Sequence, residues 1–248
     1  MRVAVVADIH GNVRALRVVM DDIKQVSPDA VVNLGDCVSG PLEAAETADV
    51  LMSLAWTTIR GNHDRWLLEK APSEMGRSDA AAFAELKNHH HAWLSTLDDT
   101  ATLEDIFLCH GTPGSDTTYL LETVEQTGHV RLGTQAEVIR RLGSEHAPVI
   151  LCGHTHVPRF VRLTDGRAVI NPGSVGLQAF SDLEPFNHAT ETGAPHARYA
   201  VLERAKAADP WQVSFRVVAY DWDGAAKRAA EKGREDWARW LRTGFAKA

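Results

Sequence analysis

A chain of 248 residues, 44% hydrophobic and 24% charged, has the make-up of one globular α/β domain. Its net charge of −7 excludes a general nucleic-acid binder, which needs a basic excess to displace counterions; a phosphate substrate stays open because bound cations would supply local positive charge. Three cysteines cannot build a disulfide framework, and no apolar run reaches the length of a membrane span, so a cytoplasmic protein away from membranes is expected.

Residues 2–7 read as a strand covered on both faces, ending in Asp8-Ile9-His10-Gly11-Asn12. Asn12 is placed to cap a helix to about Lys24, with Leu16, Val19, Met20 and Ile23 at helical spacing. A second strand at 30–34 ends in Gly35-Asp36-Cys37-Val38-Ser39-Gly40-Pro41, and a helix follows at about 42–54. A third strand at about 56–59 delivers Arg60-Gly61-Asn62-His63-Asp64. Strands alternating with helices make a parallel sheet, and such sheets bind ligands at the carboxyl ends of their strands.

Residues 65–100 read as a helical, cap-like segment with an Ala-rich piece at 79–94. His89, His90 and His91 lie inside it; three adjacent helical positions face three directions, which favours surface or cap roles over a shared ion. Residues 106–109 form a strand that delivers His110-Gly111, and a helix at 134–142 leads to an apolar strand at 149–152. That strand stops at Gly153-His154-Thr155-His156, where the His-x-His spacing suits a loop rather than a helix face. Asp165-Gly166 marks a hairpin between 159–163 and 167–170. Residues 181–196 have no period and read as a surface loop, or alternatively as a lid carrying His188 or His196 toward substrate. Two strands at 199–202 and 213–220 precede a final helix at 223–242. Its Trp237 and Trp240 share a face that packs against the body or, alternatively, against a second copy in a homodimer. Cys37, Cys109 and Cys152 each adjoin a polar motif and are assigned to the core, since neighbours on a strand point to opposite faces.

Gathered in one cleft, the strand exits offer two carboxylates, one amide oxygen and four imidazoles, with one imidazole left over. That is too many donors for one tetrahedral zinc; it fits two ions if a carboxylate bridges them. Nitrogen and oxygen donors without thiolate suit manganese first, with iron, zinc or nickel as alternatives. Taken singly, Asp8 also reads as a helix cap and Asn62 as a turn residue.

The ordered set Asp8-x-His10, Gly35-Asp36, Gly61-Asn62-His63-Asp64, His110-Gly111 and Gly153-His154-x-His156 resembles the calcineurin-like metallophosphoesterases. Within that superfamily the Gly-Asp-x-Val-Ser-Gly-Pro block is most similar to the small prokaryotic phosphodiesterase and diadenosine-tetraphosphatase-like branch. The resemblance implies a four-layer α/β/β/α sandwich of two mixed sheets, spanning 1–248 as a single domain. It implies that Asp8, His10 and His156 hold one divalent ion, that Asn62, His110 and His154 hold a second, and that Asp36 bridges both. His63 is then a cation near the leaving group, with Asp64 as the partner that orients it. The implied activity is hydrolysis of a phosphodiester in a small or nucleotide-like substrate by a metal-bridging hydroxide. A phosphomonoesterase, a protein phosphatase and a non-catalytic scaffold are the alternatives. The protein phosphatase branch carries an arginine soon after its Gly-Asp block, and residues 37–41 contain none, which weakens that alternative. Arg60 is assigned either to phosphate or to a surface salt bridge.

Overall fold

The computed structural model describes residues 1–247. It opens with β1 (Arg2–Val6), α1 (Val13–Val26), β2 (Ala30–Asn33), α2 (Ala44–Met52) and β3 (Thr57–Thr58), then three short helices, α3 (Asn62–Glu69), α4 (Arg77–Phe83) and α5 (Asn88–Leu94). The middle comprises β4 (Thr100–Leu103), β5 (Ile106–Cys109), the hairpin of β6 (Glu122–Val124) and β7 (Val130–Leu132), α6 (Gln135–Leu142) and β8 (Val149–Leu151). Last come β9 (Arg159–Arg162), β10 (Ala168–Asn171), the hairpin of β11 (Ala179–Asp182) and β12 (His188–Glu191), β13 (Ala197–Glu203), β14 (Gln212–Val218), α7 (Trp222–Glu231) and α8 (Glu235–Thr243).

Two five-stranded mixed sheets result, ordered β14-β13-β1-β2-β3 and β4-β5-β8-β10-β9. The alternation of side chains along each strand produces the layers. On β1, Val3 and Val5 face inward with Val32, Ile106, Leu108, Leu151 and Ile170, so the sheets share a core between them. Ala4 and Val6 face the other way, against Leu16, Val19 and Ile23 of α1 and the C-terminal helices. Ile150 and Val169 of the second sheet pack on Val138 and Leu142 of α6. This is the four-layer α/β/β/α sandwich of two mixed sheets expected from the sequence.

Local signals act as read at several points. The Asn12 side chain accepts the Ala15 N–H at 3.1 Å and starts α1. Thr134 and Glu137 close a reciprocal cap on α6. Elsewhere the reading needs correction. The 65–100 segment is not one helical run: it breaks at Pro72 and at Gly76, and Thr100 already belongs to β4. The 223–242 helix is two, α7 and α8, separated at Gly233 with φ +71°. Residues 181–196 are not a loop, because β11 and β12 form an antiparallel hairpin through them. Cys37, Cys109 and Cys152 are buried and free, as assigned. No helix among the described residues is long and apolar enough to cross a membrane.

Candidate metal centre

The carboxyl ends of β1, β2, β5 and β8 lie side by side, and backbone bonds lock their exits together. His10 N–H donates to Asp36 O at 2.9 Å, Gly153 N–H to His110 O at 2.8 Å, and the Asp8 carboxylate accepts His154 N–H at 3.2 Å. Among the described residues seven non-glycines have φ in the left-handed region, and five are Asp8, His10, Asp36, His154 and His156. Such a conformation costs about 1–3 kcal/mol per residue and persists only where the surroundings impose it. The chain bends out of each strand to turn these side chains inward. Gly61 permits a close approach: a Cβ there would stand 2.2 Å from Asp36 Oδ1.

Each of four imidazoles donates one ring N–H to a backbone carbonyl. His10 Nδ1 reaches Ser39 O at 3.2 Å, His110 Nδ1 reaches Leu34 O at 2.7 Å and His156 Nδ1 reaches Leu177 O at 2.6 Å. His154 does so through Nε2, to Thr117 O at 3.1 Å. In the neutral ring these bonds place the proton on the far nitrogen and leave a lone pair on the near one, the arrangement of a metal-ligating histidine. His10 Nε2 and His156 Nε2 then face each other at 3.1 Å, a contact that repels unless a cation or proton lies between them. Asp8, His10 and His156 bring one donor atom each within 4.8 Å of one another, and so do Asp36, His110 and His154.

Asp36 stands between the two groups. Its Oδ1 accepts the His63 N–H at 3.0 Å, while Oδ2 lies 3.8 Å from His10 Nε2 and 3.3 Å from His110 Nε2. Asn62 Oδ1 is buried with no hydrogen-bond partner, and His110 Nε2 faces Asp36 Oδ2 at 3.3 Å. A buried acceptor without a partner costs about 1–3 kcal/mol, which an ion at Asn62 Oδ1 would relieve. The donor set therefore fits two borderline divalent cations.

Burial disfavours the ionised form of Asp8 and Asp36, but His156 and His110 at Asp8, and His110 and His63 at Asp36, outweigh it and hold both below the ordinary carboxylate range. Burial pushes His10 down to about 3 and His154 down to about 4, so both rings are neutral. At His110 burial is overcome by Asp36 and Asp8, and its pKa rises to about 10. At His63 burial is overcome by Asp36 and Asp79, and the value rises to about 9.

The site opens into a cleft of about 760 Å³, lined by His10, His63, His154, His156 and Asn62 and walled by aromatic rings. Of the wall rings, Trp66, Tyr119 and Phe180 were not singled out in the sequence, and Trp237 was assigned to packing rather than to a cleft. Trp66 packs edge-on against His63 at 4.9 Å between centroids, Trp237 against His10 at 6.0 Å, and Tyr119 against His154 at 4.9 Å. Phe180, Asp182 and Glu184 line the cleft too, so the β11–β12 hairpin is one of its walls rather than a surface excursion. Trp237 and Trp240 are 2% and 6% exposed within their own chain, which removes the basis for a dimer contact through these rings.

Of the assigned residues, Asp64, His188 and His196 need correction, and Arg60 takes its salt-bridge reading rather than the phosphate one. Asp64 does not orient His63: its carboxylate accepts the N–H groups of Cys37 and Gly61, each at 3.0 Å, and closes the first turn of α3. The carboxylate paired with His63 is Asp79, at 2.6 Å from Nδ1. Arg60 is held by Asp99 at 2.5 Å and does not line the cleft. His188 spends both ring nitrogens inside the protein, on Tyr119 Oη at 2.9 Å and Phe186 O at 2.7 Å. His196 lies against Trp222, away from the lining. Finally, His89 and His90 cluster with Asp49, as a third group of ligand-type side chains. His90 Nδ1 accepts the Lys87 N–H at 3.1 Å, so its Nε2 carries the proton that goes to Asp49 and has no lone pair for an ion.

A model of the calcineurin-like phosphoesterase superfamily domain matches residues 1–191. An uncharacterized protein of Methanocaldococcus jannaschii is 23% identical over 184 residues, covering 71% of this chain and 70% of its own. A metallophosphoesterase from Sphaerobacter thermophilus superposes with a TM-score of 0.76 at 22% identity, covering 99% of each chain. A hypothetical protein from Pyrococcus horikoshii gives 0.74 at 19%, again over 99% of each, and these two likenesses establish the fold. With the family pattern matched across the five strand exits, the chain belongs to the calcineurin-like phosphoesterase superfamily.

Proposed function

We propose that this chain is a phosphodiesterase acting on a small or nucleotide-like substrate with two divalent cations, manganese in the first instance. One observation carries the reading: four imidazoles, each fixed through its far nitrogen by a backbone carbonyl, point their near nitrogens at two buried carboxylates and the partnerless Asn62 oxygen. On this reading Asp8, His10 and His156 would hold one cation, Asn62, His110 and His154 would hold the other, and Asp36 would serve both. When bound, the cations supply Lewis acidity at the phosphoryl oxygens and acidify a water.

The chain's own side chains do the rest. His63, beside the ligand cluster and facing the cleft, gives a proton from Nε2 to the departing ester oxygen as the phosphorus–oxygen bond breaks. The aromatic walls formed by Trp66, Phe180 and Trp237 hold the organic group of the ester and exclude water from around it. A cleft of about 760 Å³ exceeds what an isolated phosphate needs and has room for ester groups on both sides of phosphorus, which favours a diester over a monoester. Free buried thiols at Cys37, Cys109 and Cys152 suit a reducing compartment such as the cytoplasm.

The test is turnover of bis-p-nitrophenyl phosphate against p-nitrophenyl phosphate by the manganese-loaded chain. Faster release from the diester is expected. Preference for the monoester overturns the diesterase reading, and turnover of neither ester overturns the hydrolase reading.

A further inference from the structure

Asp79 lies in α4, outside the five strand-exit blocks, and occupies the third helical position after the N-cap Gly76. At that position an acidic side chain commonly turns back to the N-cap N–H. Asp79 does not. It is 2% exposed, and its Oδ1 accepts two bonds from the ligand cleft, His63 Nδ1–H at 2.6 Å and Ser39 Oγ–H at 2.9 Å. Ser39 belongs to the loop that carries Asp36, so one carboxylate oxygen ties His63 to the exit of β2.

The start of α4 is itself anchored. Gly40 N–H donates to Ser78 O at 3.2 Å. Arg234 Nη1 donates to Ser78 Oγ at 2.9 Å, and Arg77 Nη2 donates to Gly233 O at 2.8 Å. Gly233 and Arg234 join α7 to α8 and lie beyond residue 191, where the family match ends. Asp79 is therefore clamped between the strand-exit loop at Ser39 and a C-terminal segment outside the matched region.

We propose that Asp79 is the positioning residue for His63, and that the α7–α8 junction holds it in place. A carboxylate only accepts, so the bond fixes the proton on His63 Nδ1 and fixes the ring plane. Nε2 makes no protein hydrogen bond among the described residues and is presented to the cleft. The inference rests on the proposed function only in that phosphoester turnover is the process His63 serves.

The experiment compares the manganese-loaded full chain with Asp79→Ala, His63→Ala and the double variant, measuring kcat, KM and bound metal on bis-p-nitrophenyl phosphate. Loss of an orienting partner of this type costs about 10–100-fold. Asp79→Ala should lower kcat by that factor, with KM within about twofold and metal content unchanged. The double variant should be no slower than His63→Ala, because Asp79 acts through that ring. Wild-type kcat in Asp79→Ala, or multiplied losses in the double variant, overturns the inference. Should Asp79→Ala not fold, Asp79→Asn keeps an acceptor oxygen and should show a smaller loss of the same kind. Nitrogen-15 shifts of the His63 ring in the ion-free chain give a readout without turnover. With the ring titrated to its neutral form above about pH 9, the Nδ1–H tautomer is expected in the wild type and its loss in Asp79→Ala, and identical shifts overturn the inference even if the wild type hydrolyses no ester.

Discussion

Replacing Asp36 by asparagine should strip the centre of its capacity for two ions while leaving the fold intact. The amide has the carboxylate's shape, and its Oδ1 can still accept the His63 N–H that Asp36 takes at 3.0 Å. What disappears is one unit of negative charge at Oδ2, the atom 3.8 Å from His10 Nε2 and 3.3 Å from His110 Nε2. Two unit charges at about 4 Å in an effective dielectric of about 20 interact by about 4 kcal/mol, equivalent to about a thousandfold in affinity. A divalent ion feels the loss more strongly, so a thousandfold is the smaller end of the expected drop. Only Asp8 then remains as an anionic donor for both groups. Calorimetric titration with Mn²⁺, checked by elemental analysis after gel filtration, should find two tight ions in the wild type and at most one in Asp36→Asn. Diester turnover should be lost with the second ion. Two ions bound at wild-type affinity would refute the placement of Asp36 between the groups.

Three further outcomes follow from the packing. Gly61→Ala places a Cβ at 2.2 Å from Asp36 Oδ1 and 2.6 Å from Asp36 N, so the carboxylate and the backbone that carries it must both shift; metal stoichiometry should fall below two, and an unchanged titration would contradict it. Trp237→Ala removes a ring that is 2% exposed and lies against His10, and should cost about 3–5 kcal/mol in urea unfolding along with a slower turnover; a change under about 1 kcal/mol would show that the cleft wall repacks. Asp22 accepts Tyr199 Oη–H at 2.6 Å and the Arg216 guanidinium at 3.0 Å, and the Arg216 bond above all holds it below its ordinary value. Because the folded value is depressed, the stabilisation is present above about pH 4 and is lost as pH falls through the lower folded value. Asp22→Asn should therefore cost about 1–2 kcal/mol at pH 7, scaled for a partly exposed pair, and much less near pH 2.5; an equal cost at both would refute the charge-assisted bond.

The ligand cluster was legible in the sequence because each member sits within a few residues of a strand's end. An apolar strand announces itself by composition, and the polar block behind it is fixed in space by the parallel sheet. Asp8, His10, Asp36, Asn62, His110, His154 and His156 all obey that rule. Asp79 does not: it lies on an Ala-rich helix, where an acidic residue in the first turn reads as a response to the helix dipole. Asp64 looked like the orienting carboxylate because it follows His63 directly, yet adjacent residues on α3 point in different directions, and its carboxylate turns to the backbone instead. The hairpins β6–β7 and β11–β12 escaped because three- and four-residue strands with mixed polarity, such as Glu122–Val124 and His188–Glu191, give too few repeats for a period of two. The breaks at Pro72, Gly76 and Gly233 carried visible punctuation and were overridden by the apolar pattern on either side.

The centre and its surroundings thus differ in how they are built. Ligands on strand exits are rigid because their backbones are bonded into both sheets, and the strained φ values at five of them show that the sheets impose those orientations. The His10–His156 contact at 3.1 Å and the partnerless Asn62 Oδ1 oppose the ion-free fold, so binding of cations should relieve them, and the energy of ion binding adds directly to folding stability. The cleft walls are attached differently, through α3, short hairpins and the C-terminal helices, and their rings meet His10, His63 and His154 edge-on and His156 at a tilt. Under the proposed function, variation of Trp66, Phe180 or Trp237 is expected to change which ester enters more than how cations would be held, whereas variation of Asp36 or Gly61 is expected to weaken cation binding whatever ester is offered.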